Sequence, residues 1–169
     1  MYGSAGYDPF AAAHPNCWLV WEPGAWRPPA KGGQTLSAPR APTPPPSAGE
    51  ALAVALMVRA GKPGQLTVGR ERTCDIEIND ATLSQLHLLL MQAGPLTWTV
   101  RDAGSRNGTW LDGAQLSPGE PRPLRDGQRI QAGQVVLSYY EPAGLFKRLQ
   151  GLAGGAATPP PLSRPDAGA

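Results

Sequence analysis

Cysteine and histidine are scarce in this 169-residue chain, with two of each. Cys17 and Cys74 cannot build a disulfide framework, and His14 and His87 do not complete a four-ligand zinc site with them, so no metal or cofactor is expected. Long apolar runs are missing as well. The longest, Ala51 to Val58, falls far short of the roughly 20 residues that a membrane-spanning helix needs. The opening stretch MYGSAGYDPF lacks the basic and apolar regions of a secretory signal. Charge is thin and balanced: 17% of residues are Asp, Glu, Lys or Arg, and the formal net charge is +2. Between residues 50 and 141 there are 9 Lys and Arg against 10 Asp and Glu, which supplies no basic face for nucleic acid. These absences lead to the expectation of a soluble cytoplasmic protein with reduced thiols, no membrane span and no nucleic-acid partner. Catalytic patterns are missing too, with no G-x-S-x-G, no P-loop and no H-E-x-x-H. A pair made from His87 and its nearest hydroxyl, Ser84, has no evident third group to orient it, so an enzyme is not expected.

Glycine (21) and proline (20) are abundant, and the proline is unevenly spread. Residues 1–49 hold 10 prolines, residues 50–141 hold 5, and the much shorter stretch 142–169 holds another 5. This divides the chain into a Trp- and Pro-rich N-terminal segment, mostly irregular (1–49), a folded middle (50–141) and a C-terminal piece (142–169). Pro39 to Ser47 reads as an extended polyproline-type linker, and the tail from Ala156 to Ala169 as disordered. Leu145, Leu149 and Leu152 recur at helical spacing and predict a short amphipathic helix before that tail. Residues 15–28 carry Trp18, Trp21 and Trp26, too much apolar area to leave in water without a purpose. Packing on the folded middle and docking of a partner are both open for them. The Gly, Ala and Pro content suggests a GC-rich bacterial source.

The middle segment alternates. Leu52, Val54, Leu56 and Val58 share one face, followed by Leu66 with Val68, Ile76 with Ile78, and Leu86 with Leu88 and Leu90. Leu96, Trp98 and Val100, then Val135, Leu137 and Tyr139, complete the pattern. A period of two predicts strands with one buried face. Gly94-Pro95 and the pairs Asn107-Gly108, Asp112-Gly113 and Asp126-Gly127 supply turns between them. Short strands at this spacing, without long helices between, predict an all-β antiparallel sandwich.

Three polar clusters break the apolar pattern at expected strand ends: Gly69-Arg70, then Ser84 to His87, then Asp102 to Thr109. Together they hold a forked cation, hydroxyls, amides and glycines that expose backbone N–H groups. That inventory suits a phosphate ester. Asp102 is read as ordering a turn, Cys74 as a small buried residue rather than a reactive thiol, and Trp98 and Trp110 as core or rim.

These residues resemble the forkhead-associated (FHA) domain. The matching runs are VGR at 68–70, CDIEIND at 74–80, LSQLH at 83–87, W-x-V-x-D at 98–102, SRNGTWLDG at 105–113 and LRDGQRIQAG at 124–133, spread over about residues 52–140. The resemblance implies an FHA-like sandwich of about eleven strands whose loops at one end bind phosphothreonine peptides. It implies that Arg70 grips the phosphate, that the Ser84 hydroxyl accompanies it, and that Arg106 reaches it through side chain or backbone N–H. Asn107 would bond the peptide backbone. Gln85 stands where the family often has Arg or Asn. His87 would brace the loops, and Gly69 and Gly108 would shape them.

The expected function is therefore a phosphopeptide-binding adaptor recognising phosphothreonine in partner proteins, within Ser/Thr kinase signalling or phospho-dependent assembly. Thr43 and Thr158 lie in Pro-rich segments and are candidates for phosphorylation and for folding back into the chain's own site. The alternative is a phosphorylation-independent scaffold working through the Trp-rich element or the Pro42–Pro46 run.

Overall fold

The period-two pattern folds as eleven strands among the described residues, which are 6–24, 51–58, 61 and 64–154 of the computed structural model. One sheet runs β2 (Leu52–Ala55), β1 (Trp18–Trp21), β11 (Val135–Tyr140), β10 (Arg129–Ala132), β7 (Thr109–Leu111), β8 (Ala114–Gln115). The other runs β4 (Ile76–Glu77), β3 (Gln65–Gly69), β5 (Leu88–Gly94), β6 (Thr97–Asp102), β9 (Arg122–Pro123). All pairs are antiparallel except β3 with β4. The sandwich expected from the alternation is thus the observed architecture. Its interior is filled from both sheets, with Trp98, Leu88, Leu90 and Val100 meeting Leu19, Ile130, Leu137 and Tyr139 in one buried cluster.

The sheet does not begin at residue 50. β1 comes from the segment expected to be mostly irregular, and it lies between β2 and β11, with Trp18 opposite Ala55 on one side and Tyr140 on the other. Its four residues are all apolar because both of its faces are covered. Leu19 and Trp21 face the sandwich interior, while Trp18 and Val20 face two helices, α1 (Tyr7–Ala13) and α2 (Pro142–Gly154). Phe10, Val20, Leu145 and Phe146 form this second buried cluster. The expected C-terminal helix is present, and Leu145 and Leu149 pack as its spacing predicts, whereas Leu152 stays exposed.

A buried ion pair fastens α2 to the sheet. Glu22, just past β1, is 4% exposed; Arg148 of α2 donates to its Oε1 and, at 2.8 Å, to its Oε2. The Ser138 hydroxyl donates to Oε1 at 2.6 Å, and Arg148 also sits over the Tyr140 ring, 5.5 Å from its centroid. Burial alone would push the Glu22 carboxyl up, but the Arg148 and Ser138 hydrogen bonds and the Arg148 charge hold it below its ordinary value.

β3 and β4 are parallel yet separated by only the loop 70–75. So short a return needs its own clip. Asp75 provides it: its carboxylate accepts from the Thr67 N–H at 3.0 Å and the Thr67 hydroxyl at 2.9 Å, and its N–H donates to that hydroxyl at 2.9 Å. Trp26, the Pro39–Ser47 linker, Thr43, Thr158 and the tail from Ala156 lie outside the described residues.

Candidate functional site

Three loops meet at one end of the sandwich, and Ser84 is where they join. The Arg70 N–H donates to the Ser84 carbonyl at 3.0 Å, and the Glu71 N–H to the Gln85 carbonyl at 3.1 Å. From the other side, the Arg106 N–H donates to Ser84 Oγ at 3.0 Å. With its oxygen accepting from Arg106, the hydroxyl keeps its proton to give elsewhere. The Asn107 side-chain amide donates to the Thr82 carbonyl at 2.8 Å, two residues before Ser84. Arg70, Ser84, Arg106 and Asn107, which are dispersed over 38 positions of sequence, are therefore tied into one unit by three hydrogen bonds of the 82–84 backbone and hydroxyl. Gln85 stands on the same rim with an exposed side chain. Its carbonyl also takes the Cys74 Sγ–H at 3.3 Å, and Cys74 is half-buried rather than fully enclosed.

Gly69 is required by close approach. A Cβ built there would stand 2.1 Å from the Gln85 carbonyl oxygen and 2.8 Å from its carbon. Only a hydrogen lets β3 pass the 84–86 loop so tightly. Gly108 is required by conformation: its φ is +81°, and a Cβ would crowd Trp110 and the Gln115 amide.

His87 braces these loops from beneath. Its ring is fully buried, Nδ1 accepts from the Ser84 N–H at 3.1 Å, and Nε2 lies 3.0 Å from the Gly108 carbonyl oxygen. These partners assign the proton to Nε2, which donates to that carbonyl. Burial pushes the His87 pKa below the ordinary imidazole value, against the opposing pull of the Gly108 carbonyl and the Asp102 charge. The ring is thus held neutral, with one nitrogen on each loop.

Asp102 orders the third loop. Its carboxylate accepts from the N–H groups of Gly104 and Ser105 at 2.8 and 2.9 Å, and from the hydroxyls of Ser105 and Thr109 at 2.6 Å each. Burial raises the carboxyl, but the Ser105 and Thr109 bonds outweigh it, and the pKa lies below the ordinary aspartate value. The carboxylate is fully committed inward, as expected for a turn-ordering residue.

Sequence reading missed the layer behind Asn107. Asp80 and Thr82 are both fully buried, and Asp80 Oδ1 accepts from the Thr82 N–H at 2.8 Å and the Thr82 hydroxyl at 2.6 Å. An Asp two residues before a Thr is a recognisable local-turn signal and would have found it. Leu86, expected to start a buried strand face with Leu88 and Leu90, is instead 40% exposed on the rim, because the 84–86 stretch leaves the core to form the site. Among the described residues, no group of three or more His, Cys, Asp or Glu side chains could hold a metal ion, and no helix is long and apolar enough to cross a membrane.

Residues 66–133 match the family model of the FHA domain. An FHA domain-containing protein of Arabidopsis thaliana is 38% identical over 77 residues, which are 44% of this chain and 20% of that protein, so the chain spans about a fifth of the length of the curated relative it matches. That relative is a plant protein and lends no support to a bacterial source. The FHA domain of the CT664 protein from Chlamydia trachomatis has a similar fold, with a TM-score of 0.51 and 16% identity over 74% of this chain and 97% of that one. A further similar structure comes from work on phosphothreonine-dependent FHA domain interactions, with a TM-score of 0.48 and 18% identity over 74% of this chain and 95% of that one. The motif runs, the two-sheet architecture and the family-model match fall on the same stretch, so that residues 66–133 are similar to the FHA domain.

Proposed function

We propose that the site is a docking pocket for phosphothreonine peptides and that the chain is an interaction module rather than an enzyme. The observation that carries this reading is the convergence on Ser84. The Arg70 N–H bonds the Ser84 carbonyl and the Arg106 N–H bonds the Ser84 hydroxyl oxygen, which leaves that hydroxyl a proton to donate beside the anchored Asn107 amide. A phosphate monoester brings about −1.5 to −2 charges and three acceptor oxygens at neutral pH. Arg70 offers a guanidinium fork, Ser84 an O–H donor, and Gln85 and Arg106 further polar contacts from the rim. Asn107, one residue further along, addresses the peptide backbone.

Partners in this reading are proteins phosphorylated on threonine by a Ser/Thr protein kinase, met in the cytoplasm during signalling or assembly. The scaffold alternative gains little, because Trp18 and Trp21 are used in the second cluster and against the main core. Self-docking through Thr43 or Thr158 concerns residues outside the described ones.

Hydrogen bonds to charged groups contribute about 1.5–3 kcal/mol each, so Arg70→Ala is expected to weaken binding roughly tenfold to more than a hundredfold. The test titrates labelled phosphothreonine, phosphoserine and unmodified peptides into wild type and Arg70→Ala. Equal binding of modified and unmodified peptides by the wild type ends this reading.

A further inference from the structure

The turn between β10 and β11, built from Gly133 and Gln134, has no part in the phosphate contacts, yet it grips the residue that anchors Asn107. The Gln134 N–H donates to Thr82 Oγ1 at 2.9 Å. A Cβ on Gly133 would lie 2.6 Å from both the Thr82 carbonyl oxygen and Thr82 Oγ1. The carbonyl that this turn presses against is the one that accepts from the Asn107 amide at 2.8 Å. Thr82 is thus held on three sides: by Asp80 through its N–H and hydroxyl, by Gln134 through the hydroxyl oxygen, and by the bare Cα of Gly133 against its carbonyl. It is fully buried, so it cannot touch a ligand itself.

We propose that the β10–β11 turn, acting through Thr82, is a positioning element for peptide recognition: it sets the Asn107 amide, and with it the reading of the peptide backbone, separately from the phosphate grip. This rests on the phosphopeptide reading above. The separation follows from connectivity. The Thr82 carbonyl serves Asn107, whereas the Arg70 and Arg106 N–H groups go to Ser84. Disturbing the turn therefore acts first on the part of the site that sees main chain, and leaves the dianion pocket in place.

The full chain is titrated with two probes, a phosphothreonine peptide taken from a library screen and free phosphothreonine, while NMR follows the Asn107 side-chain amide. Thr82→Val removes the hydroxyl and keeps the shape. It is expected to shift the Asn107 amide signal in the free protein and to weaken the phosphopeptide roughly three- to tenfold, the worth of about one net hydrogen bond, with free phosphothreonine changed by less than about twofold. Thr82→Ser, which retains the oxygen, restores the peptide. In an Asn107→Ala background, Thr82→Val is expected to cost no further peptide affinity, since the two changes remove the same contact. Gly133→Ala, which drives a methyl group onto the same carbonyl, reproduces the pattern if Thr82→Val does not fold. Parallel loss for both probes, or equal loss with and without Asn107, makes Thr82 a general support and overturns the proposal, as does unfolding of both variants. Wild-type binding of the peptide with no change in Thr82→Val sinks the proposal alone; a wild type that ignores the phosphopeptide sinks the underlying reading as well.

Discussion

Acidification should loosen this domain through His87. The neutral ring accepts from the Ser84 N–H on Nδ1 and donates from Nε2 to the Gly108 carbonyl. A second proton has to go onto Nδ1, where it meets the Ser84 N–H head-on and leaves both donors without an acceptor in a buried place. The folded pKa is accordingly depressed by burial, while the unfolded chain titrates near 6.5. The unfolded state therefore binds more protons than the folded state in the window from about 6.5 down to the depressed value, and stability falls as pH drops through it. The full contribution is present above about pH 6.5, and the loss cannot exceed about 1.4 kcal/mol per pH unit for one proton. Urea unfolding of wild type and His87→Gln from pH 7.5 to 5.0 reads this directly. The difference between the two cancels whatever the proteins have in common. Wild type is expected to be the more stable at pH 7.5, by about 1–3 kcal/mol for each buried partner that glutamine fails to satisfy, with the gap narrowing towards pH 5. Stability is the better readout here, because a phosphopeptide ligand has its own ionisation near pH 6. Parallel pH profiles for the two proteins refute the argument, as does an NMR signature of a doubly protonated His87 in the folded protein at pH 7.

Gly69→Ala places a methyl group 2.1 Å from the Gln85 carbonyl oxygen, so it should displace the 84–86 loop and reduce phosphopeptide affinity by tenfold or more, on the order of 1.4 kcal/mol; unchanged affinity by calorimetry would mean that the loop yields without moving Ser84. Arg148→Met leaves the buried Glu22 carboxylate with the Ser138 hydroxyl. It should cost roughly 2–4 kcal/mol in chemical denaturation, below the range for a fully buried pair because part of the Arg148 side chain faces water, while phosphopeptide affinity stays near wild type. Glutamate in place of phosphothreonine should bind at least tenfold more weakly. A planar monoanion loses one or more charged hydrogen bonds worth about 1.5–3 kcal/mol each, and fluorescence polarisation with paired peptides showing equal affinity would contradict a pocket built for a tetrahedral dianion.

The strand pattern was legible because each face of the sandwich is read at alternate residues. Leu66 and Val68, Leu88 and Leu90, Trp98 and Val100 all point inward as the period requires. β1 was harder to see. In Trp18 to Trp21 every residue is apolar, so there is no alternation to recognise, and the cause lies in α1 and α2, which cover its second face. The Glu22–Arg148 pair spans 126 positions, and neither side chain carries a local sign that it will be buried. At the site, the residues that converge on Ser84 were legible as motif runs, whereas for Thr82 the sequence marks only the local turn with Asp80; its hold on Asn107 runs through a backbone carbonyl that any residue possesses. The exposure of Leu86 breaks the period for a similar reason. Ser84 to Leu86 is the short excursion that the chain makes out of the core, and its apolar member goes out with the polar ones.

That excursion is narrow by construction. Leu83 and His87 are both fully buried, so the chain enters and leaves the core within four residues and only Ser84, Gln85 and Leu86 reach the rim. Ser84 and Gln85 have their backbones hydrogen-bonded from the loop after β3, and Leu86 is packed closely against Gly69. The Ser84 N–H goes to His87 and its carbonyl takes the Arg70 N–H, the Gln85 carbonyl takes the Glu71 N–H, and the Leu86 Cα stands 3.0 Å from where a Gly69 Cβ would be. Ordering these groups is a cost already met in folding, so on the proposed phosphopeptide reading binding need not spend it again, and the modest strength of each hydrogen bond to phosphate would appear as affinity. The same reasoning explains why the supporting residues are glycine, buried histidine and buried threonine rather than further cations. Additional positive charge would strengthen attraction to any anion, whereas fixed geometry favours a tetrahedral one presented on a peptide.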